Sequence, residues 1–161
     1  MSAININDII TITFTLFAII DVIGSLPAII SVKSRLSSEF KPLYTTLFTG
    51  GLMVAFLLVG NTFLRLIGVD VSSFAVAGSI VIFIIGIEMI LGLHLFKTSP
   101  EAEKAGSLVP IGFPLLAGSG TLTSLISLRA VYSIYNILIA IAINLILIYV
   151  VLRSTGWIER K

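Results

Sequence analysis

Asp21 stands in the middle of an otherwise apolar stretch, with Gly24, Ser25 and Pro27 close behind it in the run IIDVIGSLPAIISV. A carboxylate beside small residues and a helix breaker is suited to carry a proton or to bind an ammonium group. The i, i+3, i+4, i+7 rule puts Asp21 on one helix face with Gly24, Ser25 and Ala28, and with Ala18 one turn earlier. A second cluster, Gly118, Ser119, Gly120, Thr121 and Thr123, follows Pro110, Gly112 and Pro114. At the start of a half-helix such residues present free backbone N–H groups, and the positive dipole end there suits a carboxylate. The same composition also fits a structural role: close packing of small residues between helices, with Asp21 hydrogen-bonded to a neighbour. The acid favours chemistry, because an Asn would make the structural bond without an ionisation cost. A buried carboxyl titrates closer to neutral pH than an exposed one, as proton exchange requires.

Other polar residues in apolar surroundings are fewer. Glu88 follows Ala77, Gly78, Val81 and Ile85 on one helical face, and serves either as a site residue or as an interfacial acid that snorkels to water. Asn136 and Asn144 lie one i+4 step either side of Ala140, so they share a face. Interhelical hydrogen bonding is the first role for that stripe and substrate contact the second. His94 is placed as an interfacial residue, and Tyr132, Tyr149 and Trp157 as interfacial anchors. No carboxylate pair has metal-motif spacing, and the chain has no Cys. No catalytic residue, metal or cofactor is therefore assigned, and an enzyme is not expected.

The elements that must position these residues are membrane spans. Hydrophobic residues make up 57% of the chain and charged residues 11%, with a mean hydropathy of +1.14, too few polar groups to cover a soluble globule. Stretches of about twenty apolar residues suffice to cross a bilayer. They are placed at Ile9 to Ile30, Leu43 to Leu64, Ser72 to Leu93, Val109 to Leu128 and Val131 to Leu152. Lys33, Arg35, Lys41, Lys97, Lys104 and Arg153 fall on one side of the alternation, which puts that side in the cytoplasm and the N-terminus outside. The segment MSAININD lacks a basic n-region, so the first span is expected to stay in the mature protein. A net charge of +2 without a basic cluster speaks against nucleic acid as a partner.

The first and fourth spans carry the helix breakers. Such irregular backbone is tolerated at membrane depth only against protein or a water-filled cavity. The connector 94–108 divides the chain into 9–93, with three spans, and 109–161, with two. An odd number of spans per unit makes two units antiparallel, and paired interrupted helices in inverted halves point to a transporter site at the midplane.

The run IIDVIGSLPAIISV resembles the first-helix signature of the MarC family of bacterial inner-membrane proteins. FPLLAGSGTLTS resembles its fourth-helix signature, and AGSIVIFIIGIEMILG its Gly-rich third helix, with Glu88 where an acidic residue is usual. The resemblance covers essentially the whole chain. Val22 stands where the first signature has a Pro, and Ser119 where the second does. The resemblance implies an all-α polytopic fold of two inverted three-helix repeats, similar to amino-acid exporters of the LysE type. It also implies a sixth span after STGWIERK, so that the second repeat is C-terminally incomplete here.

The resulting expectation is a single transmembrane domain acting as a secondary transporter of small neutral amino acids, with proton coupling as an option. A small zwitterion would sit between spans one and four, using Asp21, Gly24, Ser25, Pro27, Glu88, Pro114, Gly118, Ser119, Gly120, Thr121 and Asn136. A drug or metabolite efflux protein and a non-transporting membrane scaffold are the alternatives. The lipid bilayer is the expected surrounding, and a homo-oligomer is compatible with the sequence.

Overall fold

A computed structural model describes residues 4–34, 40–91 and 108–158. His94, Lys97, Lys104, Arg35 and most of the connector 94–108 lie outside the described residues, as does the side chain of Trp157. Among the described residues the chain forms helices and no strand. In order they are α1 (Ile6–Ile20), α2 (Leu26–Lys33), α3 (Pro42–Leu66), α4 (Val71–Leu91), α5 (Leu108–Leu116), α6 (Ser119–Val131) and α7 (Ile134–Ile158).

Helix lengths show which segments cross alone. The 25 residues of α3 and the 25 of α7 each rise about 37 Å, enough for a hydrocarbon core of about 30 Å. The 15 residues of α1 rise only about 22 Å, so the first crossing is completed by the 8 residues of α2. The fourth crossing is divided in the same way between α5, 9 residues, and α6, 13 residues. Helix occupies each of the five expected stretches, and among the described residues α3 and α7 are long and apolar enough to cross a bilayer by themselves. Both breaks fall in the two stretches expected to carry them.

Lipid offers no partner for polar groups, so hydroxyls in the spans bond locally, with the buried Thr13 Oγ1 on α1 as an exception among the described residues. Thr11 and Thr15 on α1 donate to the carbonyls of Asn7 and Thr11 (2.9 and 2.8 Å). Thr46 and Thr49 on α3 do likewise to Pro42 and Thr45 (2.9 and 2.8 Å).

The helix at the centre of the packing is α6, which touches α1, α3, α4 and α7. Its buried residues are Ser119, Thr121, Leu122 and Leu125. On α1 the buried residues Ile12, Leu16 and Ile20 repeat every fourth position, the stripe of a helix with one packed face. That helix runs along α7, where Ile137, Ala140, Ile141 and Asn144 are buried. Glycines let the partners of α3 approach: a Cβ on Gly50 would meet Leu145 of α7 at 2.5 Å, and one on Gly112 of α5 would meet Phe48 of α3 at 2.6 Å.

Candidate functional site

The first break is made by Asp21. Its backbone is left-handed (φ 43°, ψ 52°), and among the described residues it is the one non-glycine with positive φ. Short polar side chains visit that region because they can hydrogen-bond locally. Here the Asp21 N–H closes α1 on the Phe17 carbonyl (3.1 Å), and its Oδ1 accepts from the Gly24 N–H (3.0 Å). Ser25 then donates its N–H to the Asp21 carbonyl (2.9 Å), and α2 starts at Leu26 with Pro27 in its first turn. A proline is tolerated there because its missing N–H would have had no helical acceptor. An added Cβ on Gly24 would collide with the Asp21 carboxylate and push it out of its cap on this turn.

Two expectations are corrected at this point. Asp21 does not share a continuous helix face with Gly24, Ser25 and Ala28, because the helix ends at Asp21 and restarts four residues later. Its carboxylate is also not bonded to a neighbouring helix or buried: it is exposed and caps its own turn, while Val22 beside it is buried.

The second break lies between α5 and α6. α5 is π-wound, and the Ala117 N–H reaches back five residues to Gly112 (2.9 Å). Pro114 sits inside it, behind a cis Phe113–Pro114 peptide. Gly118 is extended (φ −70°, ψ 173°) and forms the N-cap of α6 without a side-chain cap. A helix start leaves its first N–H groups without intrahelical partners. The first-turn N–H groups of Ser119, Gly120 and Thr121 are thus uncapped by any side chain, at the positive end of the α6 dipole. Ser119 and Thr121 are buried, and the Thr121 hydroxyl bonds back across the break to the Leu116 carbonyl (3.1 Å).

The breaks meet. A Cβ placed on the exposed Gly120 would lie 3.8 Å from Cγ2 of Ile19, two residues before Asp21. On the other side α4 closes in through Gly78, where any Cβ would overlap the Ser119 side chain. Asp21, Gly24, Ser25 and Pro27 therefore belong to one turn, Gly118, Ser119, Gly120 and Thr121 to the facing helix start, and Pro114 to the segment leading into it.

Two other expected site residues lie elsewhere. Asn136 is buried but donates to Asp8 Oδ2 (3.2 Å) and accepts from the Asn5 N–H (3.3 Å), at the far end of α1. Thirteen residues of chain separate Asp8 from Asp21, about 20 Å of helix. Asn144 donates to the Thr13 and Ala140 carbonyls (3.2 and 2.9 Å), so the Asn stripe is interhelical, its first expected role. Glu88 lies ten residues beyond Gly78 on α4, about 15 Å along the helix, and its side chain is outside the described residues.

Ile19, Gly78 and, apart from Thr123, the residues of the hydroxyl groove of α1 and α6 are not among the expected site residues. The groove, about 320 Å³, is lined by Thr15, Thr123, Ser124 and Ser127 together with the apolar Leu128 and Val131, on the parts of α1 and α6 that lie away from the breaks. The signal for it was present in TLTSLIS, a dense hydroxyl run inside an apolar span. Among the described residues no group of three His, Cys, Asp or Glu is placed to hold a metal ion.

Residues 6–161 match the family described as "MarC family integral membrane protein". The chain belongs to the MarC family. It is 28% identical to the UPF0056 membrane protein YhcE of Escherichia coli, over 90% of this chain and 74% of the relative. It is 30% identical to the UPF0056 membrane protein PYRAB13050 of Pyrococcus abyssi, over 91% of this chain and 76% of the relative. With the UPF0056 membrane protein MJ1677 of Methanocaldococcus jannaschii the identity is 25%, over 87% and 75%. No solved structure matches the chain. Membership makes it an integral membrane protein in contact with lipid.

Proposed function

We propose that this MarC family protein is a secondary transporter of small neutral amino acids, with its substrate held between the two helix breaks. The observation that supports this reading is the approach of Gly120 to Ile19, which sets an uncapped helix start beside a turn bearing a carboxylate. A zwitterion needs both. The α6 N–H groups suit its carboxylate, and Asp21, with carbonyls freed by the end of α1, suits its ammonium group. The close approach of Gly120 to Ile19 favours a substrate with a small side chain. The hydroxyl groove along α1 and α6 offers a polar route from one face of the membrane, and α2 and α5 form the opposite half of each broken crossing. The broken spans occupy corresponding places in two inverted repeats on this reading, with Asp21 as the single charge of the site.

The orientation proposed is N-terminus outside, in a bacterial inner membrane, as the basic connectors suggest. A Cys at the exposed Ser72 should then react with an impermeant thiol reagent in intact cells, and one at the exposed Ser34 should not. The reverse pattern would invert the orientation.

Reconstitution tests the function. Proteoliposomes should take up labelled alanine and glycine faster than leucine, and an imposed pH gradient should accelerate uptake. Signals equal to those of empty liposomes would remove the transporter reading and favour a scaffold.

A further inference from the structure

At the end of the bundle away from the hydroxyl groove, a cleft of about 360 Å³ opens between the first turn of α3 and the last turns of α7. Two exposed cations border it. Lys41, the N-cap residue of α3, holds its Nζ 5.7 Å from the ring centroid of Tyr44. Arg153 donates from Nη1 to the Tyr149 hydroxyl (3.1 Å). Among the described residues neither meets a carboxylate; their partners are the two tyrosines. Lys33 adds a third charge at the rim, with its Nζ 5.6 Å from the ring of Phe40, which lines the cleft. No side chain caps α3, so the positive end of a 25-residue helix faces the same region.

The position of the cleft narrows the choice of anion. Because α3 outruns the hydrocarbon core, its first turn stands at headgroup depth, where Tyr and basic residues anchor. Below the cleft the surface turns apolar on both helices. Leu43 and Leu47 are exposed on α3 and Ile146 and Val150 on α7. One further step along the α3 row comes the exposed Gly51, where an added Cβ would meet nothing within 4 Å. Gly51 lies about 12 Å of helix below Leu43, so the apolar track continues well into the acyl region. A free phosphate would use the cations alone, whereas a phospholipid uses the cations and the track.

We infer that this cleft binds the headgroup of an anionic phospholipid, with Lys41 and Arg153 on its phosphate and an acyl chain along Leu47 and Gly51. Basic pockets between helices at this depth are the recurrent form of such sites, and each cation near the surface is worth about a fivefold change in affinity. The site is independent of the transport reading, since it needs only the bilayer.

Native mass spectrometry of the purified protein in detergent, titrated with phosphatidylglycerol or phosphatidylcholine, tests it. Wild type should retain phosphatidylglycerol in preference to phosphatidylcholine. Lys41→Gln should weaken that retention about fivefold, and Lys41→Gln with Arg153→Gln about thirtyfold. Arg65→Gln, at the other end of α3, should leave retention unchanged. Gly51→Phe keeps both cations and fills the track, so it should weaken retention as well, and it keeps the test decisive if the double variant does not fold. Equal retention by wild type and Lys41→Gln would overturn the site. Displacement of phosphatidylglycerol by inorganic phosphate, or full retention by Gly51→Phe, would overturn the lipid assignment.

Discussion

The two helix breaks solve the same problem in opposite ways. At the first, a charged residue interrupts the helix and repairs it: Asp21 turns left-handed, caps Gly24 with its own carboxylate and remains exposed. At the second, no charge is present. A π-wound segment with a proline runs out at Ala117, an extended glycine follows, and α6 begins with buried Ser119 and Thr121 and no side-chain cap. One break offers an acid and carbonyls, the other N–H donors. The difference teaches that the chemistry of a zwitterion site can be divided between two backbones, with a single ionisable side chain supplying the charge.

Removing the charge should separate the two breaks most sharply. Asp21→Asn keeps the volume, tolerates the left-handed backbone and still accepts from the Gly24 N–H, so the protein should insert and fold while pH-driven alanine uptake falls to the level of empty liposomes. Ser119→Ala, at the uncharged break, should leave uptake close to wild type, because its backbone N–H stays. Equal loss in both variants would erase the distinction. Gly120→Leu should block uptake whether or not a pH gradient is applied, since its side chain would crowd Ile19 where the two breaks approach.

Packing effects come next. Gly78→Ala forces a methyl into the Ser119 side chain and should cost about 1–3 kcal/mol in thermal unfolding. The pair with Ser119→Gly should recover most of that loss, and failure to recover would show that α4 does not hold the second break through this contact. Asn144→Ala removes the bond from α7 to the Thr13 carbonyl on α1, the helix leading to the first break, and should cost about 0.6 kcal/mol, at most about 1.7.

The smallest effect belongs to the start of α4. Asp70 precedes the helix and accepts from the Ser73 N–H (2.6 Å) and the Ser72 hydroxyl (2.7 Å). The Ser73 N–H first, then the two serine hydroxyls, hold its carboxyl below the ordinary value of 3.8. A depressed carboxyl contributes stability that is present above its unfolded value and lost as pH falls through the folded one. Protection of the first-turn α4 amides, measured against the intrinsic exchange rate at each pH, should therefore fall below about pH 3.8 in wild type, and be lower and flat across that window in Asp70→Ala.

Much of this arrangement is legible in the sequence. Twenty-residue apolar runs give the crossings, because lipid accepts little else, and Pro114, Gly118 and Gly120 mark a segment that cannot be one helix. The Asn136 and Asn144 stripe is readable from its spacing. The first break is readable only in outline. Periodicity carries a helix through Asp21, and nothing local announces that the carboxylate will cap Gly24 instead of facing a neighbour. Contacts such as Gly120 to Ile19 and Gly78 to Ser119 join residues about a hundred and about forty positions apart. They depend on how helices cross, and side-chain spacing within one span does not encode that. Asn136 was drawn toward the site for being polar and apolar-flanked, when its partner was an acid in the first turn of α1.

The central claim is that the two breaks form one substrate site, and a cross-link tests it directly. The chain has no Cys, so Ile19→Cys with Gly120→Cys introduces a single pair. In proteoliposomes, oxidation should join the two, alanine uptake should stop, and reduction should restore it. Failure of the pair to cross-link, or wild-type uptake by the cross-linked protein, would contradict the account.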